Sequence, residues 1–472
     1  MHYSILHISD IHKHKDVAYD SLIQSLERDL FRYTEAGIAK PSFIVVSGDI
    51  IEGAYDDDII REQYSEAEEF LTKICDLFLD SDKRRILIVP GNHDMNRNRS
   101  QASMSPSASD RKEDYVDYFS GSKVTRWSWK DYRFYHIVDW AAYNDRFSLF
   151  VEFYNRFYDG IRSFPVDPVN QALFEKFDDY KVSFSCFNSC CSLDHLCHTG
   201  GISDDAIISI GHQLSDCYNS GFLNIGVWHH HFYGMPLETN YIERSFLNTL
   251  LDYNVHIGLY GHQHYAQVAE EYSDLLTSSN ENSKRILLLS SGTLFGGNKE
   301  LPYGCRRQYN IIEINNTNGV ADITINIRED TNQLNNKLPY WQAKALYNAT
   351  NSIQYKVLTK KLDLRRMILE IDQKCKFDSD YISACEKLKD LGLDNYNVYN
   401  LFLEYLKEIK DYEYVYKNVT KIDSVKEGFL KVISAQQIGN LEYIKEVLSD
   451  SRIKSLNDHY INEILKVLKE KL

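Results

Sequence analysis

Five apolar segments of this 472-residue chain each run directly into a short polar cluster, and this repeated pattern constrains the fold more than any other feature. The clusters are SDIH (Asp10, His12), SGDI (Asp49), PGNHDM (Asn92, His93, Asp94), VWHHHF (His229, His230, His231) and LYGHQHY (His262, His264). Over about the first 90 residues, the apolar segments alternate with helix-like segments, which indicates βαβ units around a buried sheet. Because ligands bind at the carboxyl ends of strands in such a sheet, we expect the clusters to meet at one site.

The clusters supply carboxylate and amide oxygens and imidazole nitrogens, but no thiolate. This set of ligands suits Mn²⁺, Fe²⁺ or Zn²⁺. One aspartate can bridge two such ions, and two cations roughly 3.5–4 Å apart would activate a water and bind phosphoryl oxygens. Taken alone, Asp10 or Asp49 could simply cap a helix, and His262 could lie in a surface loop. The occurrence of every ligand type, in order and at strand ends, favours a metal centre over these separate explanations.

The five clusters together resemble the motifs of the calcineurin-like metallophosphoesterases. That family carries D-x-H, GD, GNH-[D/E], a later His and G-H-x-H in this order, and this chain has DIH, GD, GNHD, the histidine run and GHQH. The resemblance covers roughly residues 1–330, where SSGTLFGG and RRQYNIIEI resemble the family's closing strands. It implies an α/β fold, namely a metallophosphoesterase-type β-sandwich flanked by helices.

The resemblance also implies a dinuclear centre in which Asp49 bridges two divalent ions. The ligands would be Asp10, His12 and His264 with Asp49 for the first ion, and Asn92, His229 and His262 with Asp49 for the second. Mn²⁺ is the predicted ion, and Fe²⁺, Zn²⁺ and Ni²⁺ are alternatives. A metal-bound hydroxide would be the nucleophile, so no covalent phosphoenzyme is expected.

The remaining residues of two clusters have other expected roles. By the same resemblance, His93 would lie over the leaving-group oxygen as a general acid or transition-state donor, and Asp94 would orient it. Only one imidazole of the histidine run is needed for the second ion. His229 is our prediction, and His230 is the alternative if the strand runs one residue longer. The other histidines would then line the mouth of the pocket or hydrogen-bond to the ligands.

The sequence predicts a catalytic domain over residues 1–330, an insertion at about 95–180 and a helical accessory domain over 335–472. The insertion is rich in Phe, Tyr and Trp, and the helical spacing of FSLFVEFYNRFY favours an α-helical cap with an aromatic core. A surface that stacks nucleic-acid bases is the alternative. The C-terminal domain, poor in Gly and Pro, could bind a protein partner through its helices. Its basic cluster is either a solvated helix face or a contact for nucleic acid or a partner: Lys356, Lys360, Lys361, Arg365 and Arg366.

Cysteine usage and hydropathy bear on the compartment. Nine scattered cysteines, no signal-peptide pattern and no long apolar stretch predict a cytoplasmic protein with reduced thiols and no membrane association. The stretch SCFNSCCSLDHLCHTG could suggest a zinc site, but it lacks paired C-x-x-C spacing. We expect buried thiols there instead, and a loop near the site from which His198 could approach the substrate.

The motifs and the charge also narrow the substrate. Protein phosphatases of this superfamily carry GDxxDRG and GNHE, whereas this chain has GDIIEG and GNHD, which argues against that activity. The GNHD and GHQH forms resemble cyclic-nucleotide-type phosphodiesterases and SbcD-type nucleases. A net charge of −15 argues against a stand-alone DNA binder, although bound cations would invert the local charge. We predict a phosphodiesterase acting on a nucleotide or nucleic acid. Alternatives are a nuclease subunit with an ATPase partner, a phosphomonoesterase, and a catalytically silent scaffold.

Overall fold

The structure is a computed structural model that describes residues 2–12, 19–108, 112–167, 171–232, 241–272, 285–295, 301–317, 319–332, 338–346, 350–359, 364–393 and 395–470. Its strands are β1 (His2–Ile8), β2 (Phe43–Ser47), β3 (Ile86–Val89), β4 (Met104–Pro106), β5 (Thr125–Ser128), β6 (Arg133–Ile137), β7 (Ala172–Phe177), β8 (Val182–Phe187), β9 (Leu223–Val227), β10 (Ile257–Tyr260), β11 (Ala266–Tyr272), β12 (Arg285–Ser291), β13 (Gln308–Thr317), β14 (Val320–Asp330), β15 (Trp341–Ala343) and β16 (Ile353–Leu358).

The helices are α1 (Tyr19–Glu35), α2 (Asp57–Leu79), α3 (Arg97–Ala102), α4 (Lys112–Phe119), α5 (Trp140–Asn144), α6 (Ser148–Tyr158), α7 (Asp204–Asn219), α8 (Arg244–Asp252), α9 (Leu364–Asp378), α10 (Tyr381–Leu391), α11 (Tyr396–Glu408), α12 (Tyr412–Asn418), α13 (Val425–Ile438), α14 (Leu441–Ser449), α15 (Ser451–Ser455) and α16 (His459–Lys469). By contact density the chain divides into two compact units, residues 1–361 and residues 362–472.

Two large mixed sheets form the first unit. One has the strand order β15-β14-β13-β1-β2-β3, with β16 also paired to β14, and the other has the order β11-β12-β10-β9-β8-β7. The strands β1, β2 and β3 are parallel, and Val46 lies opposite Ile8 on one side and Ile88 on the other. In the second sheet, Val227 of β9 lies opposite Leu259 of β10 in a parallel pair. This register brings the polar clusters that follow the strands of each sheet to the same edge.

The alternation of side chains along the strands explains the layers. Tyr3 and Ile5 of β1 face the second sheet and share a core with its strands, whereas Leu6 and Ile8 face the helices α1, α2 and α6. The outer face of the second sheet is covered by α7 and α8. The first unit is therefore a β-sandwich flanked by helices, as predicted.

The insertion between β3 and β7 is mixed, and not only helical as the aromatic spacing suggested. It contains α3 to α6 and a three-stranded antiparallel sheet with the order β4-β6-β5. Trp127 of β5 lies opposite Phe134 of β6. Aromatic residues favour strands when they pack across a hairpin, and TRWS and RFYHI are too short to show a helical period.

The second unit is helical throughout its described residues and starts later than predicted. The strands β15 and β16 fall inside the range 335–472 but pair with β14, and the first helix begins at Leu364. Helices of this unit begin at residues whose side-chain oxygens accept backbone N–H groups, for example Asn395, Asp411 and Ser424.

In the basic cluster, Lys356 forms an exposed ion pair with Asp322. Lys360 and Lys361, and the side chains of Arg365 and Arg366, lie outside the described residues. In the described part of the chain, no helix combines the length and apolarity that crossing a membrane requires.

A buried ion pair joins α1 to the strands β13 and β14. Asp29 is fully buried, accepts a hydrogen bond from the hydroxyl of Tyr309 and is contacted by both Nε (2.8 Å) and Nη2 of Arg328. Removing one partner of such a pair leaves an uncompensated charge in the protein interior.

We therefore expect Arg328→Met to lower the free energy of unfolding of the catalytic unit by about 3–5 kcal/mol in urea denaturation. Lys73→Met is the control, because Lys73 forms exposed ion pairs with Asp20 and Glu69. That variant should unfold at nearly the wild-type urea concentration. Equal midpoints for the two variants would contradict this account of the buried pair.

Candidate metal centre

Two groups of side chains are close enough to hold a metal ion in the described residues. Within each group, the ligand atoms lie within 4.8 Å of one another. The two groups are Asp10, His12 and His264, and Asp49, His229 and His262. All six residues are among the seven ligands expected from the sequence, and they come from four different strand ends.

The seventh expected ligand, Asn92, lies among the donor atoms of the second group. Its Oδ1 is 3.0 Å from His229 Nε2 and 2.9 Å from His262 Nδ1. His229 Nε2 is in turn 3.3 Å from His262 Nδ1 and 3.3 Å from Asp49 Oδ2. Four electron-pair donors thus converge on one point, which is the arrangement that a cation requires.

A backbone contact fixes the orientation of the His229 ring. Its Nδ1 donates to the carbonyl oxygen of Ser47 at 2.8 Å, which leaves the Nε2 lone pair directed at the convergence point. The residues present therefore fit a divalent ion at the second group.

The first group also fits a cation. Asp10 Oδ1 lies 3.2 Å from His264 Nε2, and the Nε2 atom of His12 is buried without a hydrogen-bond partner. A buried nitrogen with no partner costs free energy unless something supplies one, and a metal ion would do so. Asp49 belongs to the second group only, and its Oδ1 accepts the backbone N–H of His93 at 2.9 Å. Its Oδ2 is the oxygen that faces the histidines, and bridging by Asp49 stays a prediction.

Burial and neighbouring charges set the protonation states. Burial raises the pKa of Asp10, but His264 and His229 outweigh it and lower that pKa to about 2. Burial lowers the pKa of His262 to about 3, and the charge of His229 contributes. Burial would also lower the pKa of His229, but Asp49 reverses this and raises it to about 9. The site thus combines ionised carboxylates with a neutral His262 and a protonated His229. A metal ion bound at His229 Nε2 would replace the proton that Asp49 holds there.

The backbone at the ligands adopts an uncommon conformation. Asp10, Asp49, His262 and His264 all have positive φ angles, between 50° and 70°. Residues other than glycine avoid this region, and such strain tends to concentrate at functional sites. The strain turns each side chain inward where its strand ends.

The motif glycines are needed because the ligands pass very close to them. A Cβ atom at Gly91 would lie 2.2 Å from Asp49 Oδ1, and one at Gly48 would lie 2.6 Å from His229 Nδ1. Gly48 also has a φ angle of +93°, which residues with a side chain rarely adopt. The glycines of the GD and GNHD motifs therefore leave room for the side chains of the predicted metal ligands.

His93 lies beside the two groups, but it is oriented differently than expected. Its Nδ1 contacts the carbonyl oxygen of Glu52 at 2.7 Å, and its Nε2 lies 4.0 Å from Asp49 Oδ2. The His93 ring stacks on that of His12 with centroids 5.3 Å apart. Glu52, which the motifs did not single out, thus supplies the contact that was assigned to Asp94.

Asp94 instead holds the loop. It accepts the backbone N–H groups of Gly91 (2.8 Å) and Ile50 (3.2 Å) and the hydroxyl of Tyr64 (3.1 Å). Burial raises the pKa of Asp94 to about 7, and the charge of Asp49 adds to this effect. The carboxyl of Asp94 joins the loops after β2 and β3, so it positions His93 through the backbone.

The histidine run separates into three roles. The structure brings His229 to the second group, whereas His230 Nδ1 contacts Ser189 Oγ at 2.9 Å. His231 Nδ1 contacts the side-chain nitrogen of Gln263 at 2.8 Å. Ser189 also accepts hydrogen bonds from the backbone N–H groups of His229 and His230, and the sequence motifs did not identify it as part of the site. Its signal was the polar stretch that ends another apolar strand, β8.

The cysteine-rich stretch forms a loop whose polar groups bind one another and the insertion. Asp194 is paired with Arg126 at 2.6 Å and accepts the backbone N–H groups of Leu196 and Cys197. The thiol of Cys190 is fully buried, and none of the cysteines in the described residues forms a disulfide. His198 is exposed, and its contact with substrate stays a prediction.

Comparison with known proteins gives the family. The profile described as calcineurin-like phosphoesterase matches residues 3–266, more than half of the chain. The chain therefore belongs to the calcineurin-like phosphoesterase family of dinuclear-metal-dependent phosphoric ester hydrolases. A comparison with curated sequences gave no significant match.

Solved structures similar to this one share little sequence with it. A dimetal phosphatase from Danio rerio is 10% identical, with a TM-score of 0.38 over 68% of this chain and 95% of that chain. The calcineurin-like phosphoesterase YfkN from Bacillus subtilis is 11% identical, with a TM-score of 0.29 over 76% and 91%. Vps29 from Entamoeba histolytica is 10% identical, with a TM-score of 0.28 over 75% and 98%. Similarity this low carries no information on activity.

The glycine contacts predict a substitution that weakens metal binding. In Gly91→Ala, the new methyl group would displace the Asp49 carboxylate, so we expect metal affinity to fall at least tenfold in calorimetric titration with Mn²⁺. Gly201→Ala is a matched control near the same site, because its Cβ would meet only ordinary contacts, the nearest at 3.5 Å. If Gly91→Ala bound Mn²⁺ as tightly as Gly201→Ala, the close approach of Asp49 to residue 91 would be wrong.

Proposed function

We propose that this protein is a dinuclear metal-dependent phosphodiesterase that acts on a nucleotide or nucleic-acid bond. The observation that carries the proposal is the convergence of Asp49, Asn92, His229 and His262 beside a separate histidine, His93, whose Nε2 is left for the substrate. A bare metal-binding scaffold would not need that additional histidine.

The chain supplies seven groups that would hold two divalent ions, and bridging of the two ions by Asp49 is part of this proposal. The full set is Asp10, His12, Asp49, Asn92, His229, His262 and His264. When bound, two cations would lower the pKa of a water and offset the negative charge of a phosphodiester. Oxygen and nitrogen donors without thiolate favour Mn²⁺, and the same donors accept Fe²⁺, Zn²⁺ or Ni²⁺.

His93 moves the proton in this proposal. The carbonyl oxygen of Glu52 accepts a hydrogen bond from Nδ1 of His93 and fixes the orientation of the ring. Nε2 is therefore the nitrogen that would donate a proton to the leaving oxygen. The buried carboxyl of Asp94 keeps the loop that carries His93 against the loop after β2. His93 and Asp94 thus divide proton transfer and positioning between them.

We retain one alternative, a nuclease subunit that works with an ATPase partner. The helical unit contains an apolar cavity of about 650 Å³ bordered by Tyr412, Phe429 and Tyr460, which are partly exposed. Such a surface is suited to a protein partner. A cytoplasmic location is part of the proposal in both cases, because nine scattered cysteines without a signal-peptide pattern are typical of such proteins.

Hydrolysis of bis(p-nitrophenyl) phosphate tests the proposal. We expect the Mn²⁺-loaded protein to be active and His93→Ala to lower kcat by about 10²–10⁴-fold while its Mn²⁺ content is unchanged. His212→Ala is the control, since His212 is exposed on α7, and it should keep full activity. A wild-type protein that is inert with Mn²⁺, Fe²⁺, Zn²⁺ and Ni²⁺ alike would refute the enzymatic function.

A substrate panel distinguishes the candidate activities. We expect turnover of cyclic nucleotides, single- or double-stranded DNA, or RNA to exceed that of phosphomonoesters by at least tenfold in kcat/KM, because the GNHD and GHQH motifs resemble those of phosphodiesterases and nucleases. Preferential hydrolysis of phosphomonoesters would contradict the phosphodiesterase assignment.

A further inference from the structure

The insertion carries a connected row of aromatic rings. Trp129 contacts Trp127 with ring centroids 5.7 Å apart, and Trp127 contacts Phe134 at 4.8 Å. Phe134 also contacts two tyrosines of α4 at 4.9 and 5.8 Å, and the second tyrosine contacts the last residue of that helix. We call this set the aromatic row: Tyr115, Tyr118, Phe119, Trp127, Trp129 and Phe134.

The ends of the aromatic row lie open to solvent. Phe119 is 80% exposed and Trp129 is 75% exposed, and Tyr132, in the same turn as Trp129, is 74% exposed. The aromatic residues of α6 behave differently, because Phe150 and Phe153 are buried in the core beneath the first sheet. The aromatic richness of the insertion therefore has two parts, a packed helix and a displayed surface. Large apolar surface left in water in this way is typical of a binding site.

The charges around the row are unlike those of the whole protein. Residues 112–133 contain five cations and four carboxylates, whereas the whole chain has a net charge of −15. A cation directly follows each exposed ring of the turn: Lys130 follows Trp129, and Arg133 follows Tyr132. Lys123 is exposed as well. The charges beside the exposed rings would therefore not repel an anionic ligand.

Two of the exposed carboxylates of this segment, Asp131 and Asp117, contact groups of the insertion itself. Asp131 accepts hydrogen bonds from Ser128 (2.8 Å) and Tyr135 (3.0 Å), and Asp117 accepts one from Thr125 (3.0 Å). No ion pair engages Lys123, Lys130 or Arg133 within the part of the chain that the structure describes. The cations therefore face the solvent beside the rings.

The insertion is anchored to the unit that holds the metal groups. Arg126 of β5 pairs with Asp194 at 2.6 Å, and Ser100 of α3 contacts His195 Nδ1 at 2.9 Å. Arg99 also pairs with Asp57 of α2 at 2.7 Å. A ligand held on the row is consequently held on the catalytic unit.

We propose that the exposed rings of the aromatic row, together with Tyr132, bind a single-stranded polynucleotide. The bases would stack on Phe119, Trp129 and Tyr132, and the phosphates would contact Lys130 and Arg133. Only unpaired bases expose faces on which rings can stack, so the site discriminates against duplexes. A protein-binding surface would instead be depleted of charged residues at its centre. This inference rests on the proposed function in one respect: it names the polymer on which the phosphodiesterase acts.

Fluorescence anisotropy with a labelled oligothymidylate tests the proposal on the full-length protein, in buffer with a chelator so that binding is measured without hydrolysis. We expect binding that weakens with salt, and a loss of affinity of about tenfold or more in Trp129→Ala and in Tyr132→Ala. Lys130→Ala should lower the slope of log affinity against log salt by roughly 0.7 for the lost phosphate contact. An oligouridylate of equal length shows whether DNA or RNA is preferred.

Tyr396→Ala is the matched control, because Tyr396 is 78% exposed but lies in the helical unit. The affinity of this variant for the oligothymidylate should equal that of the wild type. Wild-type protein that does not bind, or that binds a duplex equally well, would overturn the proposal, as would unchanged affinity in both aromatic variants. Hydrolysis of bis(p-nitrophenyl) phosphate is measured in parallel. Tyr396→Ala should keep this activity, and an inert wild type that still binds the oligonucleotide would refute the proposed function but leave the binding surface standing.

Discussion

The buried carboxylate of Asp49 holds the strand-end loops of the two sheets together. Its Oδ1 accepts the backbone N–H of His93, and its Oδ2 faces His229 from the second sheet. The backbone carbonyl of Asp49 accepts a hydrogen bond from the N–H of Ile11, which connects the loop after β1 to the same residue. A charge this deeply buried is unfavourable unless cations and hydrogen-bond donors surround it. The histidines supply such partners, and the glycines and the strained backbone allow them to approach the carboxylate.

The approach of the two sheets around this carboxylate leaves no room for ordinary side chains. The glycines at 48 and 91 lie where a methyl group would overlap a ligand, and four ligands have positive φ angles. The core between the sheets, with residues such as Ile5, Val45 and Ile225, keeps the strands rigid enough to maintain this strain. Packing in the sandwich is thus what gives the ligands their positions.

Much of the metal centre could be predicted from the sequence because its ligands follow apolar strands directly. Asp10, Asp49 and Asn92 each come two or three residues after a strand, where local pattern and topology coincide. The support of the ligands could not be predicted in the same way. The carbonyl oxygens of Ser47 and Glu52 carry no side-chain signal, and Ser189 becomes relevant only when β8 and β9 are paired.

The insertion shows a second limit of sequence patterns. Aromatic residues of α6 and of the β5–β6 hairpin look alike in the sequence, yet Phe153 is buried and Trp129 is exposed. Burial depends on what packs above each ring, which periodicity alone does not reveal. The expected helical domain likewise included the strands β15 and β16. Their pairing with β14 is a tertiary contact that the local sequence pattern does not show.

The central claim is that one site binds two cations that share Asp49, and anomalous diffraction from a crystal soaked in Mn²⁺ tests it most directly. Two peaks are predicted, one among Asp10, His12 and His264 and one among Asn92, His229 and His262, both adjacent to Asp49 Oδ2. They should be roughly 3.5–4 Å apart. A single peak at saturating Mn²⁺, or a peak bound by His230 in place of His229, would contradict the account.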